Sequence, residues 1–208
     1  MGKRQINLAR ILKEGGIKVI HPVVEDRSLF SQSAYDNELL RIYKALGGIL
    51  HEYPINFGSF DIVLQKCFIE LDEENHFNRY RKVTLNSKFY SNHNFFPVQH
   101  FKDFCDKYEK KARKNGGYWS NKSSENQYGK SSPEGNFAGN GPARWKQRAF
   151  HDMLKDIYGV LIHKPVIRVS IYSVINDVSV NKILTKENSD NLLFQHILQE
   201  LSGKLSNN

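Results

Sequence analysis

Phe60-Asp-Ile-Val-Leu-Gln-Lys-Cys-Phe-Ile-Glu70-Leu-Asp72-Glu-Glu-Asn-His76 decides how this chain is read. Residues 59–64 and 67–72 are apolar and β-prone, and Gln65-Lys66 separates them, the pattern of a tight β-hairpin. Asp61 stands near the start of the first strand. Glu70 and Asp72 close the second, and their alternate spacing points both to one face. His76 follows within a turn. Carboxylates inside apolar strands are costly to bury without a cation between them. A divalent ion such as Mg²⁺, which takes a few carboxylate oxygens together with water and phosphate, accounts for the pattern.

Outward from the hairpin, the periodicity predicts a short helix over 4–14, stopped by Gly15-Gly16, and a strand over Ile17–Val24. An amphipathic helix is expected from Ala34 to Leu50, with Gly47-Gly48 weakening its end. Residues 76–95 are rich in Asn, Arg, Tyr and Phe and carry no clear period. Val98–Lys114 reads as a helix that is basic at its end. Residues 115–143 hold six glycines together with Tyr118, Trp119, Tyr128 and Phe137, and read as a long pliable loop. A helix from Arg144 to Tyr158, a buried strand from Pro165 to Tyr172 and a terminal helix from Asn191 to Leu205 complete the chain. The expectation is one domain over 1–208 with an insertion at about 85–143.

The 208 residues are 39% hydrophobic and 25% charged, a globular balance. Thirty Lys and Arg against 22 Asp and Glu give a net charge of +8, which favours a polyanionic partner. The acids concentrate at 70–74, an acidic centre in a basic chain. Two cysteines, Cys67 and Cys105, are too few for a disulfide framework or a cysteine zinc site. Met1-Gly-Lys-Arg-Gln does not resemble a signal peptide, and no apolar run approaches ~20 residues, so a cytoplasmic protein without a membrane span is expected.

The hairpin resembles the PD-(D/E)XK nuclease superfamily, which carries an Asp on one strand and Glu-x-Lys on its partner. Here the pattern is Asp61, then Glu70-Leu71-Asp72, with acid in place of Lys. The closer resemblance is to the very-short-patch repair endonucleases and their bacterial relatives, through Glu70, Asp72 and His76; Glu73 departs from the Gly expected there. The resemblance is carried by about 55–80, more weakly by 144–172, and by nothing elsewhere. It implies a restriction-endonuclease-like αβββαβ core, an α/β fold with a central mixed sheet flanked by helices. It also implies Mg²⁺, with Mn²⁺ able to substitute, held by Asp61, Glu70 and Asp72.

In that setting His76 is suited to proton transfer, because its pKa lies near neutrality. Arg79 and Arg81 could clamp a phosphate. Arg144, Gln147, Arg148 and His151 share a helix face. The resemblance places Gln147 at the reacting centre, and Arg144, Lys146 and Arg148 on the nucleic acid. Lys110, Lys111, Arg113 and Lys114, followed by Tyr118 and Trp119, combine charge for phosphates with rings for bases. Arg168 in a buried strand needs a partner, either Asp152 or Glu38. Glu38 is also a candidate to reach the metal. The competing reading of each acid is a solvated strand end or a salt-bridge partner, which is preferred for Glu73 and Glu74 and not for Asp61, Glu70 and Asp72, and the competing reading of each basic residue is an ordinary surface group.

The expected activity is metal-dependent hydrolysis of double-stranded DNA, as a type II restriction or phage-defence endonuclease. A homodimer is expected, because duplex cleavage needs two sites, and a separately encoded methyltransferase is a candidate partner. The alternative is a non-catalytic nucleic-acid-binding module that keeps the nuclease fold. An HNH-type nuclease built on His76 with Asn78 or Asn92-His93 lacks the spacing and leaves the acidic hairpin unexplained.

Overall fold

A computed structural model describes residues 2–20, 27–93, 96–114 and 119–185, together with 195, 198 and 199. Helix α1 (Lys3–Glu14) precedes α2 (Asp36–Ala45). Strands β1 (Ile62–Val63) and β2 (Phe68–Asp72) follow, then α3 (Arg79–Leu85), α4 (Val98–Lys114), α5 (Lys122–Tyr128) and α6 (Ala143–Leu161). Strand β3 (Val166–Ser170), the short pair β4 (Val174–Ile175) and β5 (Val178–Ser179), and α7 (Val180–Thr185) end the described chain. The molecule is a mixed α/β protein. None of its described helices is long and apolar enough to cross a membrane.

The central sheet is mixed. β1 pairs antiparallel with β2, and β2 pairs parallel with β3. Ile20 adds an antiparallel bridge to Val63 on the outer side of β1, which is what the structure shows of the strand expected over 17–24. Residues 21–26 of that expectation, and all of the 191–205 helix except 195, 198 and 199, lie outside the described residues.

Alternation along the strands sorts side chains to two faces. Ile62, Leu64, Ile69, Leu71, Ile167 and Ile171 face α1 and α7, packing with Leu8, Ile11 and Leu12 and with Ile183 and Leu184. Val63, Phe68 and Val166 face the other way, onto Phe150, Leu154 and Ile157 of α6. The parity that sends Val63 and Phe68 toward α6 sends Asp61, Glu70, Asp72 and Arg168 there as well. The charged centre therefore lies between the sheet and α6.

Three elements differ from their expected extents. The helix expected over 34–50 ends at Ala45, because Gly47 takes φ 85°, a left-handed position that stops it. Residues 79–85, with no clear period, form α3, because Asn78 caps it: its side-chain oxygen accepts from the backbone N–H of Tyr80 and Arg81 at 3.0 and 3.2 Å. The pliable loop contains α5, capped by Asn121, which accepts from Ser124 N at 2.7 Å. Residues 119–143 are further tied by Asn140 to the carbonyls of Tyr128 and Lys130, at 2.8 and 2.9 Å. The glycine content of the stretch masks both the cap and these bonds.

Candidate metal centre

The hairpin closes through a two-residue turn at Gln65-Lys66, with Leu64 N donating to Cys67 O at 2.9 Å. Regular strand pairing then stops after Ile62 and Ile69. The next opposed pair would be Asp61 and Glu70, and here side chains replace the ladder. Asp61 N donates to Glu70 Oε1 at 3.0 Å, and Leu71 N donates to Asp61 Oδ2 at 2.8 Å. Two carboxylates sit across from one another, an arrangement that is unfavourable in itself. Burial pushes the Asp61 carboxyl up to about 6, and the facing Glu70 carboxylate adds to the rise.

A cation from α6 answers this pair. Lys155 places Nζ 2.7 Å from Glu70 Oε2 and donates to Ser59 O at 2.9 Å. Glu70 is 2% exposed and Lys155 8%, so this is a buried ion pair.

Asp72 joins a different group. His76, placed by the 3-10 turn Glu74–His76, brings Nδ1 to 3.1 Å from Asp72 Oδ1 and 2.9 Å from Asp152 Oδ2. Asp72, His76 and Asp152 offer ligand atoms within 4.8 Å of one another, so the group could hold a metal ion. Asp72 Oδ2 is buried with no hydrogen-bond partner. Two carboxylate oxygens and an imidazole nitrogen suit Mn²⁺ at least as well as Mg²⁺, which prefers oxygen alone.

Behind the group runs a buried ion network. Arg168 Nη1 donates to Asp72 Oδ1 at 2.7 Å and Arg168 Nε to Asp156 Oδ1 at 2.8 Å, with Asp152 Oδ1 at 3.5 Å from Nη1. Arg81 Nη2 donates to Asp156 Oδ2 at 3.1 Å, and the Tyr90 hydroxyl to the same oxygen at 2.6 Å. Three carboxyl groups thus face two guanidiniums and the His76 ring, and burial raises the Asp72 carboxyl against the opposing pull of Arg168 and His76. Burial alone would lower the His76 imidazole, but Asp152 and Asp72 overcome it and raise its pKa. Burial would likewise raise Asp152, yet His76, Arg168 and Arg81 hold it well below the usual carboxylate range. Arg168 is thereby partnered by Asp72, Asp152 and Asp156 and not by Glu38.

The expected residues therefore divide. Asp61 and Glu70 meet on the α6 side of the sheet; Asp72 and His76 meet with Asp152; Asp61 and Glu70 are not part of the group that could hold an ion. Arg81, expected on a phosphate, is 1% exposed and belongs to the ion network. Lys146, also expected on nucleic acid, is buried with Nζ 2.6 Å from Asn140 Oδ1. Gln147, expected at the reacting centre, is buried between α5 and α6, donating to Gln127 Oε1 at 2.9 Å and Ser123 Oγ at 3.2 Å.

Trp119 donates to Ser132 O at 2.6 Å and packs edge-on against Phe137 and Trp145, which turns it into the protein. Tyr118 lies outside the described residues. Glu38, a candidate for the metal, is bonded to Arg41 at 2.7 Å and to the Ser87 hydroxyl at 2.6 Å, and these hold its carboxyl down at about 2 despite partial burial. Glu73 and Glu74 pair with Arg4.

The basic surface survives elsewhere. Lys110, Lys111, Arg113 and Lys114 lie along the end of α4, where Lys110, Lys111 and both terminal cations are exposed. Arg79, exposed and bonded to Glu109 at 2.8 Å, stacks over Phe137 at 4.3 Å, and Arg113 covers the same ring at 5.0 Å. Arg144 and Arg148 are half-buried on α6. Lys155 and Asp152 are not singled out by any motif. Lys155 shares the polar stripe of Arg144, Arg148 and His151, whereas Asp152, expected only as a partner of Arg168, and Asp156 border the apolar face of α6.

A mixed α/β protein with a buried acidic centre belongs to no single chemistry by fold alone. The chain belongs to a family of unknown function (DUF7255), whose profile matches residues 41–186 and so spans β1, β2, α6 and β3. No curated protein and no solved structure matches it.

Proposed function

We propose that this protein is a metal-dependent nuclease that hydrolyses phosphodiester bonds in DNA. The observation that carries the proposal is the meeting of Asp61, Glu70 and Lys155 on one face of the sheet: the Glu70 carboxylate accepts from both Asp61 N and the Lys155 ammonium, and the Asp61 carboxyl is pushed up by burial. A buried carboxyl with a raised pKa beside other charged groups is a recurrent feature of reacting centres. The chain order supports the resemblance to the PD-(D/E)XK superfamily, since α1, the Ile20 bridge, β1, β2, α6 and β3 come in the sequence helix, three extended segments, helix and strand, with α2 inserted before β1 and α3, α4 and α5 inserted between β2 and α6. The acid–acid–lysine set is restored as well, with Lys155 on a helix supplying the cation that the Glu70-Leu71-Asp72 strand lacks.

Asp72, His76 and Asp152 would hold a divalent ion, Mg²⁺ or Mn²⁺, which supplies charge stabilisation for a phosphoryl group and an acidified water. Glu70 fixes Lys155, and Lys155 keeps a positive charge beside the carboxylates where the phosphate's negative charge would gather. Asp61, with a pKa about 6, can take up a proton near neutral pH. The exposed cations of α4, with Arg79, Arg144 and Arg148, supply affinity for the backbone. Cutting both strands would take two such chains.

A non-catalytic nucleic-acid-binding module is the second reading. It is favoured by the fact that Glu70 and Asp72 each already hold a buried protein cation, Lys155 and Arg168.

Plasmid DNA, single-stranded DNA and RNA incubated with Mg²⁺, Mn²⁺ or EDTA decide between them. Metal-dependent cutting that is lost in Asp61→Ala and Glu70→Ala supports the nuclease. Cutting by either variant at the wild-type rate removes the proposed centre, and binding without cutting under every metal condition favours the module.

A further inference from the structure

His151 has no role in the centre described above. It lies on α6, with its ring Nε2 buried and without a hydrogen-bond partner. A buried polar atom left this way is costly unless something outside the chain satisfies it.

The surroundings say what that something is. Arg144, Arg148, His151 and Lys155 are spaced by four, three and four residues, so they form one stripe along the helix. The charged groups with the largest effect on His151 are Arg144, Asp152, Lys155 and Arg148. Lys155 is matched by Glu70, and Asp152 by His76 and Arg168, so Arg144 and Arg148 set the sign of the stripe, which repels a metal ion and attracts an anion. The stripe also has a direction. Its Lys155 end rests on Glu70, and its Arg144 end lies in the first turn of α6, where helix polarity favours negative charge. One helical turn rises about 5.4 Å, close to the step between neighbouring phosphates of a nucleic-acid strand.

We propose that His151, with Arg148 and Lys155, forms an oxyanion subsite for a backbone phosphate next to the one presented to Asp61 and Glu70. The imidazole Nε2–H donates to a phosphate oxygen, and the guanidinium and ammonium flank it. The identity of the anion as a strand phosphate rests on the nuclease proposal, whereas the anion site itself rests on the stripe.

The full chain in EDTA, observed through its imidazole ¹⁵N–¹H resonances, tests this directly. Inorganic phosphate, and then a short single-stranded DNA, should each move the His151 Nε2 resonance saturably. His151→Phe should weaken DNA binding about tenfold, the loss of one hydrogen bond to a charged group. His151→Gln, which keeps a donor near the same place, should retain most of the affinity, and thermal unfolding checks that both variants fold. A resonance unmoved by phosphate and by DNA, or His151→Phe binding like wild type, overturns the subsite, even if the wild type cuts DNA. A saturable shift in a protein that cuts nothing under any metal condition upholds the subsite and removes the nuclease.

Discussion

Lys155 on α6 sits 2.7 Å from Glu70 on β2, a buried pair that ties the helix to the acidic hairpin. Breaking such a pair on one side strands a buried charge, at a cost of about 3–5 kcal/mol. Lys155→Met should therefore lose at least about 2 kcal/mol in urea unfolding, and Lys155→Met with Glu70→Gln should recover much of it. Purely additive effects in that cycle would mean that the two groups do not interact. Both variants should be inactive, since the double variant restores stability and not the charge.

Asp61 gives the protein a pH signature. Its folded pKa of about 6 lies above the usual value of 3.8. Between those values the folded state holds the proton more tightly, so ionising Asp61 opposes folding as pH rises through about 6. Two units correspond to about 3 kcal/mol at most, and partial exposure reduces that to about 1–2. Asp61→Asn should therefore raise the melting temperature at about pH 7–8 in EDTA, should leave it unchanged near pH 4, and should abolish cutting. A variant no more stable than wild type at the alkaline end would show that the carboxylate is not under strain.

The acidic hairpin, its turn and the shared face of Asp61, Glu70 and Asp72 are legible in the sequence because strand alternation is a short-range rule. The strand Pro165–Tyr172 and the helix beginning near Arg144 are legible for the same reason. What the sequence hides is long-range pairing. Asp72 and Asp152 are far apart along the chain, and nothing local says that they share His76. Arg81 follows a run of polar residues and looks like surface, yet the Asn78 cap turns α3 so that Arg81 points inward to Asp156. The Gly-rich stretch conceals α5 because a capping Asn and one buried tyrosine outweigh composition.

Arg81 consequently should behave as a core residue. Arg81→Ala should cost about 3 kcal/mol or more of stability, because the buried network loses one of its two guanidiniums: Asp156 keeps only Arg168, and the Tyr90 hydroxyl loses the donor from Arg81. The slope of log K against log salt for DNA should not change in the folded fraction. A variant of wild-type stability with a shallower slope would return Arg81 to the surface.

The group of Asp72, His76 and Asp152 should bind Mn²⁺ in competition with a proton. Asp152 and Asp72 raise the His76 pKa in the metal-free group, so metal uptake competes with its proton, and affinity should rise with pH across the His76 titration. Mn²⁺ should raise the melting temperature more at about pH 8 than at about pH 6, and chelation should reverse the effect. Asp152→Asn removes a ligand and should abolish the response. An equal response in Asp152→Asn would place the ion elsewhere.

The α4 cations supply the last expectation. Lys110, Lys111, Arg113 and Lys114 stand on the final turns of a helix that packs on α3, and none of them belongs to the buried core, so neutralising them leaves that core intact. Each phosphate that a variant no longer neutralises should flatten the salt dependence of DNA binding by about 0.9 in slope. Arg113 also stacks on Phe137, which Arg79 covers from nearby, so part of its charge is already held by the protein. Lys111 lies over the Tyr108 and Tyr172 rings in the same way, so replacing Lys110 and Lys114 should change the slope more per residue than replacing Arg113 or Lys111. Titrations of duplex DNA at several salt concentrations in EDTA measure this, and an unchanged slope in the quadruple variant would leave Arg144 and Arg148 of α6 as the DNA face.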